Sequence, residues 1–176
     1  MLTQVALLDE LLNAHAHALG RDFTAYRNHA YRVLNLCAAQ GAGSAAQLEK
    51  VAIATAFHDI GIWTAGTFDY LGPSVALARG YLTPGQRADW VPEIEAMIGE
   101  HHKLRSYRGQ HAGLVEPFRR ADWTDVSLGL WRFGTRYGFV RELFAAFPDA
   151  GFHGRLVQLS IRQLLRHGNP FPMLRW

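Results

Sequence analysis

VAIATAFHDIGIW, residues 51–63, runs from Val51 to Phe57 with Thr55 as its one polar residue, then presents His58 and Asp59 before returning to Ile60 and Ile62. A segment this apolar belongs in a core, where an ionised carboxylate without a partner is costly. An internal ion pair, hydrogen bonds to a neighbouring helix or a metal ion would each satisfy the pair. Upstream, GAGS at 41–44 breaks the chain, and Ser44 with Gln47 has the spacing of a capping box. The spacing predicts a helix from there to about residue 58.

The same periodicity extends in both directions. Val5, Leu8, Leu11 and Leu12 fall at helical spacing within 3–19, and Gly20 closes that segment. Asp22 is placed to cap a second helix over roughly 23–40, whose stripe is Tyr26, Val33, Leu36 and Cys37. Pro73, Ser74 and VALARGYL predict a short helix ending at the Pro84–Gly85 turn. Pro92 suits the first position of a helix reaching about 102. Further helices are expected over about 113–130, 139–147 and 154–167. No alternating strand pattern or repeat interrupts them. The expectation is an all-α protein of about seven helices.

A chain of 176 residues, 49% of them hydrophobic, has the size of one domain, 1–176, able to bury a substantial core. Its formal net charge is only +3, with lysine confined to Lys50 and Lys103, so arginine supplies the basic excess. Arginine's planar fork suits phosphate and carboxylate, which makes small anions plausible ligands. So modest and dispersed a charge does not favour a nucleic-acid partner. The single cysteine, Cys37, excludes an internal disulfide and reads as a small buried hydrophobe. MLTQVALLDELL carries Asp9 and Glu10 and does not read as a secretory signal. No run is long enough to span a bilayer. A cytoplasmic location is expected.

Of nine histidines, most read as solvated. His15 and His17 lie two apart and point to different sides of a helix, and His111, His153 and His167 have polar or terminal settings. His29, in YRNHAYRVL, lies one position round from the apolar stripe of its helix. Asp122, in FRRADWTDVSLG, is again an acid entering an apolar helix. Two imidazoles and two carboxylates from three helices make a mixed N/O set suited to a borderline divalent metal, and helical bundles build such sites from inward-facing side chains.

The order His29, His58–Asp59, Asp122, with the wording HAYRV, FHDIG and RRAD around it, resembles the HD-domain superfamily of metal-dependent phosphohydrolases. The matching motifs span residues 29 to 122. The resemblance implies a compact HD-type helical bundle with His29, His58, Asp59 and Asp122 as metal ligands. One divalent ion is implied, with Mn, Mg, Fe, Ni, Co and Zn not distinguished. Asp59 would also act catalytically by orienting the attacking water, and the substrate would be a small phosphate ester, a nucleotide being one option.

HDIGIW lacks the acidic pair that follows His–Asp in the guanosine tetraphosphate hydrolases, and Ile62 and the missing Gly-Tyr-Pro segment depart from the HD-GYP phosphodiesterases. His101 and His102 resemble the extra histidines of a two-metal branch, but no histidine lies between Asp59 and His101. His102 or Lys103 could instead face the substrate phosphate, favourable placement of His101 and His102 at a helix C-terminus being the alternative. Tyr26 shares a face with His29, and Asp125 sits one turn from Asp122, as a supporting or proton-donating group. Tyr26, His102, Lys103 and Asp125 are therefore the candidate substrate-binding residues. Arg27, Arg105 and Arg108 are further phosphate candidates whose default is solvation. Trp63, Phe68 and Tyr70 read as core, with stacking on a base as the alternative.

Two other functions fit the residues. One is a two-iron HD-type oxygenase, the other a regulatory module that binds a metabolite without turnover. The aromatic, Pro-rich tail NPFPMLRW suits packing against a neighbour, which leaves a homodimer open.

Overall fold

The computed structural model describes residues 1–85, 87–174 and 176, and among them it is all-helical, without a strand. In chain order the helices are α1 (Ala6–Ala14), α2 (Ala16–Leu19), α3 (Phe23–Ala39), α4 (Ala45–Phe57), α5 (Gly61–Thr64), α6 (Leu71–Leu82), α7 (Val91–Glu100), α8 (Ala112–Val126), α9 (Tyr137–Ala146) and α10 (Phe152–His167). Eight of these have nine residues or more, and α2 and α5 are single turns. No helix among the described residues is long and apolar enough to cross a membrane.

Local chemistry explains where α4 begins. The Ser44 hydroxyl accepts from the Gln47 amide at 3.2 Å, and the Gln47 side chain accepts from the Ser44 amide at 3.1 Å. Two otherwise unpaired donors are satisfied, and the apolar run follows. From Val51 through Phe57 every residue of α4 is buried, as is every residue of α3 from Asn28 to Cys37. These two helices pack on each other, α8 closes the other side of α3, and α1, α6 and α7 surround α4. Helices buried on all faces have little use for an amphipathic pattern, so the stripe expected in α3 understates its burial.

Three local expectations are corrected. The segment 3–19 is two helices, because the backbone leaves helical geometry at His15. Asp22 makes no capping hydrogen bond; it lies in a 3-10 turn, accepts from the Trp63 indole at 2.9 Å, and faces Arg155 at 3.1 Å. Helix α6 begins at Leu71, two residues ahead of Pro73, which the first turn accommodates because its missing N–H would have had no partner there. In the C-terminal segment, Met173 is buried against Tyr70 and Leu71 of its own chain, while Phe171 and Trp176 are exposed.

Candidate metal centre

His29, His58, Asp59 and Asp122 arrive from the middle of α3, the end of α4, the turn that follows it, and the last half of α8. All four are buried. The Nε2 atoms of His29 and His58 face each other at 2.9 Å. Asp59 Oδ2 lies 3.6 Å from His29 Nε2 and 3.4 Å from His58 Nε2, and Asp122 Oδ1 lies 3.6 and 3.7 Å from the same atoms. Donors bound at about 2.0–2.2 Å to one ion lie roughly 2.8–3.6 Å apart in octahedral or tetrahedral arrangements. Four of these five separations fall within that range and the fifth lies just beyond it.

The hydrogen bonds behind the imidazoles decide which nitrogens are free. His58 Nδ1 donates to the Thr55 carbonyl at 2.8 Å, and His101 Nδ1 donates to the Ile98 carbonyl at 2.6 Å. A carbonyl only accepts, so both rings carry the proton on Nδ1 and turn a bare Nε2 inward. His29 Nδ1 donates to Asp125 Oδ2 at 2.6 Å. Inside the cluster, Asp59 Oδ1, both oxygens of Asp122 and His101 Nε2 have no hydrogen-bond partner although they are buried. Unpaired acceptors at such a density are what a cation relieves. The residues present fit a divalent metal, and three overlapping groups drawn from His29, His58, Asp59, His101, His102 and Asp122 have donor atoms close enough to hold one.

The protonation pattern of the metal-free chain follows from the same geometry. Burial lowers the His29 pKa, but the charge of Asp125 and the nearby Asp59 outweigh it and raise it to about 9. Burial drives His58 down to about 3 against the pull of Asp59. Burial also pushes Asp122 up to about 7, helped by the charge of Asp59 and opposed by His101 and His29. Asp59 goes the other way: its desolvation is outweighed by the surrounding imidazoles, which hold it well below the usual carboxylate range.

The other expected site residues fall into two groups. His102 stays at the site, with Nε2 2.6 Å from the Tyr70 hydroxyl and Nδ1 3.5 Å from Asp122 Oδ2. Tyr26, Asp125 and Lys103 have their polar tips engaged by other groups of the chain. The Tyr26 hydroxyl donates to the Ala56 carbonyl at 3.0 Å and accepts from the Asp59 amide at 3.3 Å, so it braces the His58–Asp59 turn. Asp125 receives both His29 Nδ1 and the guanidinium of Arg32, including Arg32 Nη2 at 3.0 Å. Lys103 points its ammonium at the Trp176 carbonyl oxygen and at Glu100, while its own carbonyl accepts from Trp123 at 3.2 Å. Arg27 is paired with Asp9 at 2.8 Å.

Several contributors were not singled out from the sequence. Arg32 is buried completely and, besides Asp125, donates to the Phe147 carbonyl at 2.9 Å. Its spacing was a usable signal, since His29 and Arg32 on α3 match Asp122 and Asp125 on α8, each pair one turn apart. Phe152 stacks on His29 with ring centres 4.0 Å apart. His153, read as solvated, is partly buried and holds the Asp125 carbonyl at 3.0 Å. Gly61 is demanded by packing: a Cβ there would lie 2.6 Å from the Tyr70 carbonyl oxygen, and its amide donates to Ser74 at 3.0 Å. Compared with protein-family models, curated proteins and solved structures, the chain matched none.

Proposed function

We propose that this chain is a metal-dependent phosphohydrolase of the HD type, acting on a small phosphate ester. The observation that carries the reading is the convergence of bare imidazole nitrogens and unpaired carboxylate oxygens at one buried point. His29, His58, Asp59 and Asp122 would hold the metal. A divalent cation bound there supplies Lewis acidity, making water a nucleophile near neutral pH and offsetting phosphoryl charge. Asp59 directs Oδ2 toward the His29–His58 pair and keeps Oδ1 free of hydrogen bonds, so Oδ1 is available to orient a water and take its proton. Ile62 offers no proton to the leaving oxygen. The Tyr70–His102 pair, hydrogen-bonded at 2.6 Å beside Asp122, would supply it.

The purified chain should contain a divalent metal and release phosphate from monoesters, with both lost on chelation and in Asp59→Ala. Full activity in Asp59→Ala would sink the assignment.

One observation favours a second reading, the two-iron oxygenase. His101 is buried with Nε2 3.3 Å from Asp59 Oδ1, and His102 Nδ1 lies beside Asp122 Oδ2. Each aspartate thus shows one oxygen to His29 and His58 and the other to the His101–His102 side. If His102 Nε2 donates to Tyr70, its Nδ1 is a free donor for a second ion. Two irons per chain and oxygen consumption without phosphate release from esters would establish that reading over the first.

A further inference from the structure

A cavity of about 150 Å³ opens onto Asp59 and His102. Its wall is assembled from four separate parts of the chain. Phe68 and Tyr70 come from the segment between α5 and α6, Trp123 from α8 beside Asp122, Leu156 from α10, and Phe171 and Met173 from the C-terminal segment. Phe68, Tyr70 and Met173 are buried, whereas Phe171 is half-exposed at the mouth. Trp123 stands edge-on to His102 with ring centres 6.3 Å apart, and its indole N–H is already satisfied by the Lys103 carbonyl. Away from the metal end the wall is aromatic or aliphatic except for Ser160 on α10, whose hydroxyl is already satisfied by the Leu156 carbonyl at 2.9 Å.

We propose that this cavity binds an uncharged apolar group the size of a single ring. Resting on the phosphohydrolase reading above, the inference makes the substrate a phosphate monoester of a small aromatic or similarly apolar alcohol. An apolar cavity of roughly 150 Å³ accepts a benzene-sized ring. A nucleoside is too large for it, and its ribose hydroxyls and base edges would lose hydrogen bonds against this wall. Water in such a space is poorly bonded, and its displacement by a ring favours binding. In the reaction, the oxygen of water forms a new bond to phosphorus and the ester P–O bond breaks. The alcohol oxygen leaves with a proton, and inorganic phosphate is the other product.

Binding and turnover test the inference separately on the metal-loaded full chain. Benzylphosphonate and methylphosphonate, neither of which is hydrolysed, are compared by calorimetry. Benzylphosphonate should bind at least about tenfold more tightly, in line with the burial of a ring face. Trp123→Ala and Phe171→Ala should shrink that ratio while leaving methylphosphonate unchanged, and the comparison on the unaltered protein needs neither variant to fold. Benzyl phosphate should be hydrolysed with a higher kcat/KM than glycerol phosphate or AMP. Equal binding of the two phosphonates, or faster hydrolysis of AMP, overturns the inference. Binding of benzyl alcohol without phosphonate binding or ester hydrolysis overturns the phosphohydrolase reading and leaves the apolar ring site standing.

Discussion

Asp122 and Asp125 lie one turn apart on α8, both fully buried, and their surroundings could hardly differ more. Asp125 is saturated, receiving the Arg32 guanidinium and His29 Nδ1, while neither oxygen of Asp122 has a hydrogen-bond partner. Burial would raise both pKa values. The charges of His29 and Arg32 overcome it at Asp125 and hold that carboxyl well below its ordinary range, whereas Asp122 is pushed up to about 7. A folded chain keeps the first carboxylate for its own structure. The second keeps both oxygens free of partners, in a cluster that could hold a cation. His29 joins the two, anchored by Asp125 on one nitrogen and facing Asp122 with the other.

The comparison breaks most sharply by removing each acid in turn. Asp122→Ala should abolish cation retention, measured by elemental analysis after gel filtration, yet leave the chelated chain at least as stable to urea. Asp125→Ala should do the opposite in stability, costing about 3–5 kcal/mol because it strands a buried guanidinium. It should also weaken cation binding by roughly 10–100-fold, since His29 loses the group that orients it. If the two variants were interchangeable in either measurement, the division of labour on α8 would be wrong.

A smaller effect is expected from pH. His29 has its folded pKa raised from 6.5 to about 9, so the stability it contributes is fully present below 6.5 and lost as pH rises toward 9. Asp122, raised from 3.8 to about 7, costs stability as pH climbs across that interval. Both slopes have one sign. Below 6.5 His58, lowered to about 3, and His102, also lowered, act in the opposite sense, so the clean window lies above it: the Tm of the chelated chain should fall between about pH 6.5 and 9. Cation affinity should rise over the same window, because the bound protons leave. A flat Tm profile in the chelated chain would contradict this account of the centre.

The smallest expected effect concerns the turn that carries Asp59. Gly61→Ala places a methyl against the Tyr70 carbonyl and should destabilise by about 1–3 kcal/mol in urea titrations. Restored stability on adding the metal would show that the centre can pull the turn back into place.

What was legible in the chain follows the range of the interactions. The capping box at Ser44 and the apolar run beyond it are local, so α4 and its terminal His58–Asp59 could be read directly. His29 and Asp122 stood out as polar residues in apolar helices, and the fold does bring them together. Asp125 could be placed near Asp122 by helical spacing, but its partner Arg32 is 93 residues away, and nothing local assigns an arginine to the interior. The tips of Tyr26 and Lys103 go to main-chain carbonyls that could not be read for a related reason. Helical phase puts a side chain on a face, whereas the main-chain carbonyls that capture its tip belong to other segments. The break at His15 and the return of the C-terminal segment over the cavity likewise depend on tertiary contacts that no periodicity encodes.

The most direct test is to titrate a divalent cation such as Mn²⁺ into the chelated chain and its Asp59→Ala variant by calorimetry. The account predicts saturable binding at one or two ions per chain in the first and its loss in the second. Saturable binding that survives Asp59→Ala, or none in either protein, would contradict the assignment of this cluster as a metal centre.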